Sequence, residues 1–167
     1  MDGAKKSYYH HRKLIMGQLL KNISVQNSTK VLKALIVDDL KINRSLARIM
    51  LERNNFEIVE AENGQQALEH FNIEDLDVVL MDICMPVMDG IEAMTKIREL
   101  NKKENGIPII AFTSGEHENS KSDLIRKGFS EYIKKPFKEE DLFDKISKFL
   151  PLNKSLETQK ISVNPAV

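Results

Sequence analysis

From Leu32 onward, short runs of Val, Ile and Leu alternate five times with longer stretches of helical spacing. This alternation restricts the fold more than any other feature of the chain. Strands that read as continuous apolar runs are buried on both faces, and a helical stretch after each strand makes the strands run parallel. The runs are Leu32–Val37, Phe56–Glu60, Val78–Met81, Pro108–Phe112 and Glu131–Ile133. The expected class is α/β, a doubly wound five-stranded parallel sheet with helices on both faces.

The stretches between the runs carry their own signals. Ile42, Leu46, Ile49, Met50 and Arg53 recur at the spacing of a one-sided helix, which predicts that this face is buried. A second helix opens at Asn63 with Gln66 as capping-box partner and buries Ala67, Leu68 and Phe71. Asp89 and Glu92 repeat the start signal before Ile91, Met94 and Ile97. The fourth stretch is polar from Glu116 to Asp123, with only Leu124 and Ile125 ahead of a stop at Gly128, so little apolar area ties it down. The last helix begins with Glu139, Glu140 and Asp141, presents Leu142, Phe143, Ile146, Phe149 and Leu150 on one face, and stops at Pro151.

Length allows one domain with a sizeable core plus tails: 1–30 as a basic extension, helical or disordered, 31–150 as the domain, and 151–167 as a disordered polar tail. With 25 Lys+Arg against 25 Asp+Glu, no whole-molecule field draws the chain to nucleic acid or an acidic membrane. The extension is nonetheless basic, with six cations against Asp2, and Ile15, Leu19 and Ile23 form a short apolar face among them. That face suits docking on the domain or a partner, an anionic membrane surface, or a disordered linker. Cys84 is the single cysteine and no segment is long enough to span a bilayer, which points to a reduced, cytoplasmic setting.

In a doubly wound sheet, ligands bind beyond the carboxyl ends of the strands, where the strand order reverses. The first strand ends in Asp38-Asp39, the third in Asp82, the fourth in Thr113-Ser114 and the fifth in Lys134-Lys135-Pro136. With strand order 2-1-3-4-5, three carboxylates converge in one cleft. Like charges so close call for a cation, and hard oxygen donors without clustered His or Cys favour an ion like Mg²⁺. Lys135 adds a positive point charge and Thr113 a hydroxyl. A carboxylate, a divalent cation, a lysine and a hydroxyl around one point suit phosphoryl transfer to the carboxylate. Asp82, in the middle strand of the cleft, is the candidate nucleophile.

Together, Val37-Asp38-Asp39 with Asn43-Arg44, Met81-Asp82 with Met85-Pro86 and Met88-Asp89-Gly90, Phe112-Thr113-Ser114, and Tyr132-Ile133-Lys134-Lys135-Pro136-Phe137 closely resemble the receiver domain of two-component response regulators. The resemblance covers roughly residues 31–150 and implies a flavodoxin-like (βα)5 fold. It further implies that Asp82 accepts a phosphoryl group from phosphohistidine, and that Asp38, Asp39, Asp82 and the backbone carbonyl of Cys84 hold Mg²⁺. Lys135 would pair with the phosphoryl oxygens, Thr113 would swing in, Tyr132 would change rotamer, and the Lys135-Pro136 bond would be cis. Two departures are Ser114 where the family often has Ala, and Cys84 and Gly115 at positions that usually tune dephosphorylation.

The implied partners are a histidine kinase or histidine phosphotransfer protein upstream, and a downstream protein on the face of the fourth helix, fifth strand and fifth helix, with room for a phosphorylation-dependent dimer. No direct nucleic-acid contact and no independent turnover beyond self-catalysed phosphoryl transfer and autodephosphorylation are expected. The protein would be a stand-alone switch, a relay intermediate or a hybrid-kinase receiver. An aspartyl-nucleophile phosphatase is the competing class, but that chemistry wants an acid two residues after the nucleophile, where Cys84 stands. Neither G-x-G-x-x-G nor G-x-x-x-x-G-K-[ST] follows the first strand, against nucleotide binding.

Overall fold

A computed structural model describes residues 30–100, 106–114 and 121–151. The basic extension up to residue 29, the tail from residue 152, Gly115 and the polar start of the fourth helical stretch lie outside the described residues. Everything below concerns the compact unit Leu32–Val167.

Five strands, β1 (Leu32–Val37), β2 (Phe56–Ala61), β3 (Val78–Asp82), β4 (Ile109–Thr113) and β5 (Glu131–Lys134), form one parallel sheet in the order β2-β1-β3-β4-β5. They alternate with α1 (Lys41–Arg53), α2 (Gly64–Ile73), α3 (Gly90–Leu100), α4 (Lys121–Lys127) and α5 (Glu139–Ile146). The flavodoxin-like architecture is as expected. All five residues of β3 and of β4 are buried, because these central strands carry helices on both sides.

Alternate strand residues feed two cores. Leu35, Val37, Val79, Met81, Ile109 and Ala111 pack under α2, α3 and α4. Ala34, Ile36, Val78, Leu80, Ile110 and Phe112 pack under α1 and α5. Caps follow the sequence signals: the Asn63 side chain accepts from the Gln66 N–H, and Asp89 accepts from the Glu92 N–H at 2.8 Å.

Two expectations need correction. The face of α1 turned to the core is Arg44, Ala47 and Leu51, with Met50 partly buried, while Ile42 is 74% exposed and Leu46 and Ile49 are each 46% exposed. Both stripes have helical spacing. The small side chain of Ala47 lets the helix sit close on the sheet, so the bulkier stripe is left outside. Helix α5 also ends at Ile146, before Pro151, and the chain continues in turns in which the Phe149 N–H donates to the Ile146 carbonyl, leaving Phe149 42% exposed. Pro disfavours helical backbone in the residue before it, so the last turn tightens early. In α4 only Leu124 is buried and Ile125 is 40% exposed, in keeping with the small apolar area expected to tie this helix down.

Candidate functional site

Register brings the strand ends together. Val37 pairs with Met81 and Asp82 with Phe112, so Asp38 lies beside Asp82 and Thr113 follows next in β4. Past the strands the ladder runs one step further: the Asp38 N–H donates to the Ala61 carbonyl, Ile83 to Phe112, and Lys135 to Thr113 at 2.7 Å. This rim is the reversal point between β1 and β3, where a doubly wound sheet opens a crevice.

Three acids meet there, with one carboxylate oxygen each from Asp38, Asp39 and Asp82 within 4.8 Å of one another. Asp38 is fully buried, Asp82 is 9% exposed and Asp39 is exposed. The Lys135 ammonium bridges Asp38 and Asp82, bonding Asp38 Oδ2 and standing 3.1 Å from Asp82 Oδ2. Burial, and then the charge of Asp38, push the Asp82 pKa above its ordinary value even though Lys135 pulls it down. The site therefore holds more negative charge than its one lysine offsets. A hard divalent ion bound by carboxylates, of the Mg²⁺ kind, fits this donor set.

Each predicted side chain is at this rim or adjoins it. Thr113 ends β4 and is 9% exposed. Tyr132 is half-buried on β5, with the ammonium groups of Lys121 and Lys145 at 5.8 and 5.6 Å from its ring centroid. Lys135-Pro136 is cis, and Phe137 beyond it stacks on Phe112 with centroids 4.8 Å apart. The Cys84 side chain is exposed, and partial desolvation followed by the charges of Asp82 and Asp89 pushes its thiol up, so it stays protonated.

Several site residues had no role in the sequence reading. Asn43, on the first turn of α1, donates from Nδ2 to both oxygens of Asp38 at 3.0 and 3.1 Å, and the Leu40 N–H adds a third hydrogen bond. The buried Arg44 reaches the main chain of Asp38 and Asp39. Their signal is position: side chains at a helix start lean back toward the strand end that precedes it. Gly90 opens α3 against the main chain of β3, and a Cβ there would stand 2.0 Å from the Asp82 carbonyl oxygen. Between them the site loop passes through Val87 at φ 71°, a backbone region that β-branched residues rarely enter.

Comparison with known proteins agrees with this geometry. The response regulator receiver domain profile matches residues 34–147. The chemotaxis protein CheY of Halobacterium salinarum is 42% identical over 119 residues, covering 71% of this chain and 96% of that protein. The sensor and hybrid histidine kinases among the curated relatives are far longer, and the chain spans only 8% to 18% of their length.

Two solved structures are close in shape. The receiver domain of sensor histidine kinase PA1611 from Pseudomonas aeruginosa, with magnesium coordinated in its active site cleft, has TM-score 0.62 at 29% identity, covering 71% of this chain and 96% of that one. The receiver domain of Saccharomyces cerevisiae Ssk1, crystallised with the histidine phosphotransfer protein Ypd1, has TM-score 0.64 at 28% identity over 71% and 88% of the two chains. Sheet order, acidic rim and sequence relationship agree, and the chain belongs to the response regulator receiver domains of two-component signalling.

Proposed function

We propose that this receiver is a phosphorylation-driven switch in which Asp82 accepts the phosphoryl group. The observation that carries this reading is the meeting of Asp38, Asp39 and Asp82 with Lys135 at the sheet's reversal point. A carboxylate oxygen of Asp82 attacks phosphorus, the P–N bond to the donor histidine breaks, and the released imidazole keeps the electron pair. Lys135 is within reach of charge that develops on the phosphoryl oxygens, and the Thr113 hydroxyl would turn to hydrogen-bond them.

Asp38, Asp39, Asp82 and the Cys84 main-chain carbonyl would hold Mg²⁺, as the magnesium-bound PA1611 receiver suggests by likeness. When bound, the ion neutralises the carboxylates and the incoming phosphoryl oxygens. Asp38 is held by Asn43, Leu40 and Lys135, so its share of that cluster is oriented in advance.

The donor would be a histidine kinase or a phosphotransfer protein, in line with the Ypd1 complex of a similar receiver. Output would pass through α4, β5 and α5, where Tyr132 sits half-buried and one buried leucine anchors α4. A cytoplasmic setting fits these partners. Intact mass of wild type and Asp82→Asn after incubation with acetyl phosphate tests the centre of the proposal. One phosphoryl adduct that requires both Mg²⁺ and Asp82 is expected; an equal adduct on Asp82→Asn would remove Asp82 from the role.

A further inference from the structure

The Arg44 side chain is 5% exposed and spreads its donors over two kinds of acceptor. Nε reaches Glu60 at 3.1 Å and Nη2 reaches Glu62 at 2.8 Å, at the end of β2 and just past it. Nη1 turns the other way and donates to the Asp38 carbonyl at 2.7 Å and the Asp39 carbonyl at 3.3 Å. A guanidinium that only joined α1 to β2 would be satisfied by the two glutamates. Holding two consecutive carbonyls on one nitrogen fixes the peptide between the two acids.

That matters because the two acids are held differently. Three donors orient the Asp38 carboxylate through its side chain. The Asp39 carboxylate has no hydrogen-bond donor among the described residues, so the course of its main chain sets its direction. We infer that Arg44 is a positioning residue for the metal site: through the carbonyls of Asp38 and Asp39 it aims the Asp39 carboxylate at the ion. The inference rests on the Mg²⁺ reading above. Lys is a poor replacement, since one ammonium cannot serve two carbonyls and two carboxylates in the geometry of the planar fork.

Calorimetric Mg²⁺ titration of the full chain, together with melting curves without metal, tests this. Arg44→Met, which keeps an apolar stem, is expected to weaken the Mg²⁺ dissociation constant roughly tenfold to a hundredfold, the usual effect of removing an outer support of a metal site. Glu60→Gln loosens the clamp to β2 but leaves Nη1 in place; it is expected to lower the melting temperature and keep the dissociation constant within about twofold.

An unchanged Mg²⁺ affinity in folded Arg44→Met, or an equal loss in Glu60→Gln, would make Arg44 a structural clamp and overturn the assignment. If Arg44→Met does not fold, Arg44→Lys carries the test: a severalfold weaker affinity is expected, and wild-type affinity in a folded protein overturns it. A wild-type chain that takes up no Mg²⁺ would bring down the metal reading itself, and this inference with it, a result distinct from wild-type binding that Arg44 substitutions leave untouched.

Discussion

Glu131 and Gly90 show how single residues set the conditions under which the site is held. Glu131 is 5% exposed, accepts from Lys148 and the Tyr132 N–H, and has Lys145 and Lys121 at 3.6 and 3.7 Å. Burial alone would raise its pKa, but the Lys148 and Tyr132 hydrogen bonds and the Lys145 charge outweigh burial and hold it below the ordinary value. A depressed folded-state pKa gives stability that is present above the unfolded carboxylate range, about 4.3, and is lost as pH falls through the folded value. Glu131→Gln should therefore melt below wild type at pH 7, with the gap closing below about pH 4. A gap of constant size across that range would assign the effect to packing instead of charge. At Gly90 the constraint is steric. A methyl group 2.0 Å from the Asp82 carbonyl must displace main chain, so Gly90→Ala should lower stability by roughly 1–3 kcal/mol and slow phosphoryl uptake, both read on one purified variant.

Among the elements, α1 separates what could be read in advance from what could not. Its exposed stripe of Ile42, Leu46 and Ile49 lies outside the core and continues from the exposed Leu40 that follows the acid pair. Replacing the three with Ser should change folding stability by less than about 1 kcal/mol, because none is buried. Uptake from acetyl phosphate should be unaffected, while transfer from a phosphotransfer protein should slow roughly tenfold, as when an apolar anchor leaves an interface. Equal rates from both donors would mean that the stripe takes no part in docking. The strands, their order and the acids at their ends were readable because continuous apolar runs allow few other structures, and a carboxylate at the end of such a run must point out at the rim. The buried face of α1 was not, since Ala47 is small and Arg44 is charged, and both look like solvent-side residues until the carbonyls of Asp38 and Asp39 are seen to need a donor. The meeting of Lys135 and Asp38 at one rim was legible from the strand order, but their direct ion pair needed the register of four strands, which no local pattern contains.

Considered as a whole, the domain places its chemistry at one edge of a sheet whose two cores do not depend on it. Leu35, Val79 and Ile109 on one side and Ile36, Leu80 and Ile110 on the other are fully buried, and neither set includes the cleft acids. The rim can thus change charge without exposing core surface. The same division leaves the apolar stripe of α1 on the outside of a molecule whose 25 cations balance 25 anions, with an isoelectric point near 6.9. Near neutral pH little net repulsion keeps two such stripes apart. Colloidal behaviour should follow: solubility passes through a minimum near pH 7 and recovers when the solution is moved a unit or two either way, and the Ser triple variant flattens that minimum in static light scattering. The apolar stripe that the fold leaves outside its cores is then also the one that limits how concentrated the free protein can be.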